Sequence, residues 1–306
     1  MTELARSTMP FLYALSAFRT PWLSGIMSLL THFGDAALFV VVGLLLYWCW
    51  DKKKARYVLA VGLAGTVIGN CLKNVFRVPR PWLLDENFSI VESARARATG
   101  YSFPSGHTQV GVGLYGSLAL MLKNRWAKLA TLAMAVVIPF SRMILGVHTP
   151  LDTGFAALVS VVLIFALRPC MKTEKGMAVT LAALGAAGIL MLTWTALLPA
   201  GETSEQDVTN LREGLKAACM SAAALAAMFA AYEADERFLH FETAGSLKTQ
   251  LAKSALGLAC TGILFGLVHF IPETSLVLRF AGYFVTVCFA TIVWPMTFPW
   301  FRKRLG

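Results

Sequence analysis

Apolar runs of nearly membrane-spanning length recur along most of this chain, and they constrain its fold more than any other feature. A helix needs about 20 predominantly apolar residues to cross the hydrocarbon core of a bilayer. With 57% hydrophobic and 14% charged residues, the composition excludes both a soluble globular domain and a disordered chain. The sequence therefore predicts an all-α, polytopic membrane protein. Its spans, about nine by this criterion, are at 35–50, 57–76, 107–122, 127–145, 151–167, 177–199, 214–232, 251–271 and 276–299.

The segment 1–34 has a different pattern. Its large apolar residues recur every three or four positions, and its polar residues fall on other helical faces. This periodicity predicts an N-terminal amphipathic helix that lies in the membrane interface and bends near Pro21. A further span in this segment is the weaker alternative, because Arg19 and Pro21 interrupt it.

The links between the spans predict the orientation. More than half of the 27 lysines and arginines fall in one set of links, at 51–56, 123–128, 168–175, 233–253 and 302–304. The loop 201–214 of the opposite set is acidic. Basic links mark the cytoplasmic side of a membrane protein. The net charge of +10 is spread in small groups, so the sequence predicts no nucleic-acid partner.

Three short polar segments interrupt the apolar pattern, and all three fall on the predicted outer side. Each places ionisable side chains at the edge of an apolar run, where such a group costs roughly 2.5–3.5 kcal/mol by insertion scales. A single bound anion would explain all three. The residues concerned are Lys73 and Arg80; Ser105, Gly106 and His107; and Arg142, His148 and Asp152.

Each polar segment also has a purely structural explanation. Lys73 and Arg80 resemble cations that extend from a helix end towards the interface. Ser105 is a good helix N-cap, although the N–H groups that follow it also form an anion site. Asp152 could cap a helix, or it could orient His148, four residues earlier. The loop 77–103 is equally compatible with a cap over the site and with an ordinary surface loop.

Together the segments resemble a known family. Lys73-x6-Arg80-Pro81, Pro104-Ser105-Gly106-His107 and Ser141-Arg142-x5-His148-x3-Asp152 are similar to the three signature motifs of the type 2 phosphatidic acid phosphatase superfamily, membrane lipid phosphatase branch. The resemblance implies a six-helix-type phosphatase core at 35–175. Residues 176–306 would add further transmembrane helices that complete the bundle, as in the longer bacterial and sphingosine-phosphate-phosphatase-like members.

The resemblance also implies a role for each residue. His148 would be the nucleophile that forms a phosphohistidine, with Asp152 orienting it. His107 would protonate the leaving oxygen and then activate water. No cofactor or metal is expected, because cations and helix-start amides can neutralise the phosphoryl charge. The residues expected to bind the phosphoryl oxygens are Lys73, Arg80, Ser105, Gly106 and Arg142.

The expected function is hydrolysis of a lipid phosphate or diphosphate at the extracytoplasmic face of a bacterial cell membrane. The partners are the lipid substrate and the bilayer. A lipid-to-lipid phosphotransferase is the first alternative, since an acceptor alcohol can also resolve a phosphohistidine. A non-catalytic phospholipid transporter or binding protein is the second, but binding needs only cations, not the two histidines. The sequence names neither the lipid nor the oligomeric state.

Overall fold

The chain folds into helices joined by short connections. A computed structural model describes residues 1–198 and 204–306, and this part of the chain contains no strand. The end of the sixth predicted span and the start of the predicted acidic loop, at 199–203, lie outside the described residues. The α-helices are α1 Thr2–Ser7, α2 Met9–Ser16, α3 Pro21–Thr31, α4 Ala36–Cys49, α5 Lys52–Phe76, α6 Pro81–Leu84, α7 Gly106–Met121, α8 Arg125–Ile144, α9 Pro150–Cys170, α10 Glu174–Leu197, α11 Glu205–Ala234, α12 Leu247–Val268, α13 Leu276–Cys288 and α14 Phe298–Leu305.

The predicted all-α, multi-pass membrane fold is confirmed, with a smaller number of spans. Seven helices of the described part are long and apolar enough to cross a membrane. The region Pro21–Gly34 and α4, bent by 48° at Asp35, together make an eighth. α7 is too short, because its 16 residues rise only about 24 Å at 1.5 Å per residue. The structure therefore supports seven or eight spans where the sequence predicted about nine.

α7 is central to the half of the bundle that carries the polar segments. It packs against α5, α8 and α9. A Cβ at Gly111 would lie 2.7 Å from Cδ1 of Ile138, and one at Gly116 would lie 2.7 Å from Cδ1 of Ile164. Glycines at helix contacts let neighbouring backbones approach closely in membrane proteins. Close packing by longer neighbours thus fixes the position of this short helix and of its N-terminus.

The C-terminal helices complete the bundle. α11 packs against α10, α13 and α5, and α12 packs against α4. Asp235, in the π-helical turn Asp235–Leu239 that follows α11, is fully buried and accepts hydrogen bonds from Lys52 and Arg56 at the start of α5. This cluster lies at the opposite end of α5 from Lys73.

The N-terminal segment forms three short helices rather than one bent helix. α2 ends at Ser16, and Thr20 caps α3 by accepting from the backbone N–H of Leu23. One side of the segment is buried through Met9 and Leu12, which belong to the same apolar cluster as residues of the loop 77–103. Large apolar side chains on the segment's other side are exposed. The segment therefore packs on the end of the bundle that carries the polar segments, and its position in the membrane interface stays a prediction.

The acidic link predicted at 201–214 is mostly helical, so this prediction was wrong. α11 begins at Glu205, with the Ser204 side chain accepting from the N–H of Asp207. Acidic residues in a first turn stabilise a helix start through its dipole, which explains why the acidic stretch folds this way. Asp207 also accepts a hydrogen bond from the hydroxyl of Tyr101, at 2.9 Å, so α11 begins beside the loop 77–103.

Candidate active site

The eight predicted site residues all lie at one end of the bundle. The end of α5, the N-cap of α6, the start of α7, the end of α8 and the start of α9 meet there, because successive long helices run in opposite directions. The positive charges of Lys73, Arg80 and Arg142 all act on His148. Ser105 donates its backbone N–H to the carbonyl of Asp152, at 3.1 Å. The three polar segments thus form a single cluster.

His148 is buried in the link between α8 and α9. Its Nε2 lies 2.9 Å from Nη1 of Arg80, and its Nδ1 lies 3.5 Å from Oδ2 of Asp152. Since arginine only donates hydrogen bonds, Nε2 must carry a lone pair. Burial, together with the charges of Arg80 and Arg142, holds the pKa of His148 well below its ordinary value. The imidazole is therefore neutral, with its proton on the nitrogen nearer Asp152.

Asp152 combines the two roles that the sequence left open. Its Oδ2 accepts the backbone N–H of Thr149 at 2.7 Å, and Thr149 accepts the backbone N–H of Asp152 in return, which forms a capping box. The same oxygen accepts the hydroxyl of Ser102 at 2.7 Å. Oδ1 is buried and has no partner among the described residues. Asp152 therefore fixes the start of α9 and still lies beside His148.

Carbonyl groups of the loop 77–103 hold two of the cations. Arg80 donates to the carbonyls of Thr99 and Gly100, at 2.5 and 3.0 Å, and Lys73 donates to that of Tyr101. Arg80 is only 5% exposed, so it does not extend into the interface as the structural alternative required. The loop wraps around the cations, which agrees with a cap rather than an ordinary surface loop.

Arg142 is fully buried and has unused hydrogen-bonding capacity. Its Nη1 donates to the hydroxyl of Thr31, at 3.0 Å. Its Nε and Nη2 have no partner in the part of the chain that the structure describes. Buried polar groups are nearly always hydrogen-bonded, so these two donors are available to a water molecule or to a bound anion. Nε and Nη2 together form the fork that binds a phosphate or carboxylate.

The start of α7 supplies the remaining donors. Ser105 is buried, and its hydroxyl oxygen accepts the N–H of Thr108 as an N-cap, which leaves the hydroxyl proton free to donate. The first N–H groups of α7, on Gly106 and His107, precede any intrahelical partner. Apart from its chain neighbours and the backbone of its own helix, no atom of the described residues lies within 4 Å of the position that a Cβ of Gly106 would take. An anion can therefore approach this helix start closely.

The structure adds site residues that the sequence analysis did not find. Nε2 of His107 lies 2.8 Å from Oδ1 of Asp35, which comes directly before α4. Oδ2 of Asp35 accepts from Arg97 at 2.5 Å and lies 3.2 Å from Nδ1 of His32, a residue without a visible partner in the sequence. One signal was available for Asp35. It is an acid at the start of the first span, where the predicted topology also places the start of α7.

Two family models match this chain in separate regions. The PAP2 superfamily model matches residues 53–175, and the model described as the transmembrane extension of PAP2 superfamily phosphatases matches residues 218–304. The two regions together make up well over half of the chain. The chain belongs to the PAP2 superfamily. The predicted family is thus confirmed, and the predicted class of enzyme, a hydrolase of lipid phosphates, is confirmed with it.

Curated relatives of this PAP2 protein include two from distant organisms. Undecaprenyl-diphosphatase BcrC of Bacillus subtilis is 26% identical over 147 residues, which are 47% of this chain and 72% of the relative. An undecaprenyl-diphosphatase of Sulfolobus acidocaldarius is 28% identical over 131 residues, 42% of this chain and 62% of the relative. The crystal structure of Aquifex aeolicus LpxE matches with a TM-score of 0.45 and 22% identity, over 52% of this chain and 93% of that one.

Proposed function

We propose that this PAP2 protein hydrolyses a lipid phosphate or diphosphate through a phosphohistidine on His148, without a metal ion, on the extracytoplasmic side of the membrane. One observation carries the proposal. The lone pair on Nε2 of His148 is directed at Arg80, within the cluster of cations. A phosphoryl group held by those cations would lie next to the nucleophile. Binding alone requires the cations but gives no reason for a neutral histidine among them.

The phosphoryl group is held by groups that are already in place. In this proposal Nε and Nη2 of Arg142 bind two of its oxygens, and the ammonium of Lys73 and the N–H of Gly106 are the further donors. The transition state of phosphoryl transfer spreads negative charge over three equatorial oxygens. Fixed donors in a site without bulk water stabilise that charge without reorganising. The two idle donors of Arg142 support this arrangement.

In the first step, Nε2 of His148 gives up its hydrogen bond from Arg80 and uses the freed lone pair to attack phosphorus. The P–N bond forms as the bond to the leaving oxygen breaks, and the electron pair of that bond stays on the leaving oxygen. His107 donates a proton to the leaving oxygen through Nδ1, because Nε2 is hydrogen-bonded to Asp35. The imidazole of His148 becomes positively charged, and Asp152 stabilises it through the Nδ1 proton.

In the second step, water takes the place of the departed alcohol. His107, now neutral, accepts a proton from that water as its oxygen attacks phosphorus. The P–N bond breaks, its electron pair returns to Nε2 of His148, and inorganic phosphate leaves. Both histidines then have their starting protonation states.

The substrate is a lipid because the site lies at the end of transmembrane helices. Both curated relatives are named for undecaprenyl diphosphate, so a polyprenyl diphosphate is the first candidate substrate. The excess of basic residues at the opposite end of the bundle supports an extracytoplasmic site. In the described residues no three carboxylate, histidine or cysteine side chains come together as a metal site, and metal independence is a prediction.

The experiment is phosphate release by the purified protein from four lipids: undecaprenyl diphosphate, phosphatidic acid, phosphatidylglycerophosphate and a sphingoid phosphate. We expect release from at least one lipid, unchanged in excess chelator, inhibited by vanadate and abolished in His148→Ala. Activity lost with chelator and restored by magnesium would disprove the metal-free mechanism. Absence of release from every lipid, with intact protein, would disprove the proposed function.

A further inference from the structure

We propose that Asp35 is the positioning residue of His107, so that each histidine of the site has its own carboxylate. This inference rests on the proposed function, in which His107 is the proton donor. Asp35 lies outside the region matched by the first family model. It acts on the reaction only through His107, whose Nε2 is 2.8 Å from its Oδ1.

The carboxylate of Asp35 is directed away from the helix that it precedes. Asp35 occupies the N-cap position of α4, but its side chain makes no capping hydrogen bond. An aspartate at this position normally accepts from one of the first N–H groups of the helix, which stabilises the helix. Asp51 does so at the start of α5. α4 therefore lacks this stabilisation, while the carboxylate binds a histidine of α7.

Backbone packing holds Asp35 in this position. The preceding residue, Gly34, lies so close to α7 that a Cβ there would be 3.0 Å from the carbonyl oxygen of His107 and 2.8 Å from Cγ2 of Ile138. The bend between α3 and α4 thus rests directly on the start of α7. A larger residue would move the bend away, and Asp35 with it.

The second carboxylate oxygen is also occupied. Oδ2 of Asp35 accepts from Arg97, which belongs to the 3₁₀ helix Glu92–Arg97 in the loop 77–103, and it lies near His32. With both oxygens bound, the carboxylate cannot rotate away from His107. Arg97 also connects the loop over the site to the bend at Asp35.

This arrangement has two consequences for the reaction. Because Nε2 of His107 is hydrogen-bonded to Asp35, Nδ1 stays available to donate a proton to the leaving oxygen. The same hydrogen bond fixes the plane of the ring. Burial and the charges of Arg142 and Arg80 lower the pKa of His107, and the carboxylate of Asp35 opposes that shift by stabilising the protonated imidazole. The charged and titratable groups that act on His107 are Asp35, Arg142, Arg80 and His148, and His32 and Arg97 contact the carboxylate of Asp35.

The first test compares leaving groups in purified, full-length Asp35→Asn. A general acid contributes typically about 10²–10⁴-fold, and its contribution grows with the basicity of the leaving oxygen. We expect a loss of about 10–100-fold in kcat/KM with a lipid monophosphate, a fraction of that contribution. The burst of nitrophenol from nitrophenyl phosphate should change little. The matched control is Glu92→Gln. Glu92 is an exposed acid that pairs with Arg95 in the loop 77–103, and this variant should behave as wild type.

The second test is the pH profile of kcat/KM with the lipid. Its alkaline limb reports loss of the proton from the general acid. Asp35→Asn removes the negative charge that stabilises the protonated ring and leaves the cations in place, so the limb should move to lower pH. Asp35→Glu keeps the charge and should retain the wild-type limb.

The third test combines Asp35→Asn with His107→Ala. If Asp35 acts through His107, the double variant should be no slower than His107→Ala alone, because coupled residues are not additive. Equal losses with both leaving groups, an unmoved limb or an additive double variant would overturn the inference. So would failure of both Asp35→Asn and Asp35→Glu to fold, because Asp35 would then be structural. Inactive wild-type protein would instead refute the proposed function.

Discussion

The two buried arginines of the site use their donors differently. Arg80 donates to carbonyls of the loop 77–103 and to the carbonyl of Val147, at 3.0 Å. Most of its hydrogen-bond donors are therefore already paired within the protein. Arg142 has a single partner, Thr31, and two buried donors without one in the described chain. A buried donor left without a partner costs about 1–3 kcal/mol. A bound phosphoryl group would remove that cost, and we therefore propose Arg142 as the main ligand of the phosphoryl group.

Arg142→Lys tests this assignment. A lysine keeps the charge but provides a single point of contact in place of a fork of donors. Loss of one fixed donor to a transition state typically costs about 2.7–4 kcal/mol, or roughly 10²–10³ in kcat. We expect a loss of this size, measured as lipid phosphate hydrolysis by folded protein. Arg95→Lys, on the exposed side of the loop, is the control. Nearly wild-type activity in Arg142→Lys would mean that Arg142 only anchors the end of α8.

The sequence predicted the eight residues that the structure brings together in the candidate site, and it missed two of their partners. Lys73, His148 and the others could be found because their spacing is carried by short segments at helix ends. Thr31 left no signal in the sequence, and Asp35 left only its place at the start of the first span, because the roles of both depend on the bend between α3 and α4 and on its contact with α7. A bend at Gly34 leaves no periodic pattern in the sequence, and its angle is set by packing.

Elements were predicted well where hydrophobic periodicity is long and poorly where it is short. The long apolar helices from α8 to α12 lie close to their predicted positions. The N-terminal segment was predicted as one bent helix, but Thr20 and Pro21 start a new helix there. Arg19, in the preceding turn, donates to the carbonyl of Ser89 in the loop 77–103. The start of α11 was predicted as a loop, because charge patterns do not separate an acidic first turn from an acidic link.

At the element scale, a buried ionic cluster joins α11 to α5. Asp235→Asn would leave Lys52 and Arg56 without their shared carboxylate, and Arg56 is only 3% exposed. Removing one partner of a buried pair typically costs about 3–5 kcal/mol. We expect a clearly lower unfolding temperature in detergent, with unchanged kcat per folded molecule, since the cluster lies at the opposite end of α5 from the site.

The matched control for this cluster is Glu236→Gln. Glu236 also accepts from Arg56, at 3.1 Å, but its side chain is 29% exposed. Partly exposed ion pairs contribute little, typically about 0–1 kcal/mol. The unfolding temperature of Glu236→Gln should therefore fall much less than that of Asp235→Asn. Equal stability of the two variants would show that the buried carboxylate does not hold α11 against α5.

For the whole molecule, the two ends of the bundle differ in charge and in chemistry. The cluster of Lys52, Arg56 and Asp235 lies at the end where the basic links gather, and all the candidate catalytic residues lie at the other. The sequence could predict this separation, because antiparallel helices place alternate links at opposite ends. It could not predict how residues 1–34 pack, and the boundaries proposed at 35–175 and 176–306 stay a prediction.

Sidedness is tested by labelling single cysteines in intact cells. In a variant without the six native cysteines, Glu205→Cys reports on the site end, because α11 starts beside the loop 77–103. Lys53→Cys reports on the basic end, and the restored native Cys170, which is exposed at the end of α9, is a second reporter there. Basic links face the cytoplasm. We therefore expect an impermeant thiol reagent to label Glu205→Cys in intact cells and the other two only after permeabilisation.

Retained lipid hydrolysis by each variant shows that the labelled protein is native. The reverse labelling would place the site in the cytoplasm, where it would act on lipids of the inner leaflet, and the proposed substrate pool would be wrong.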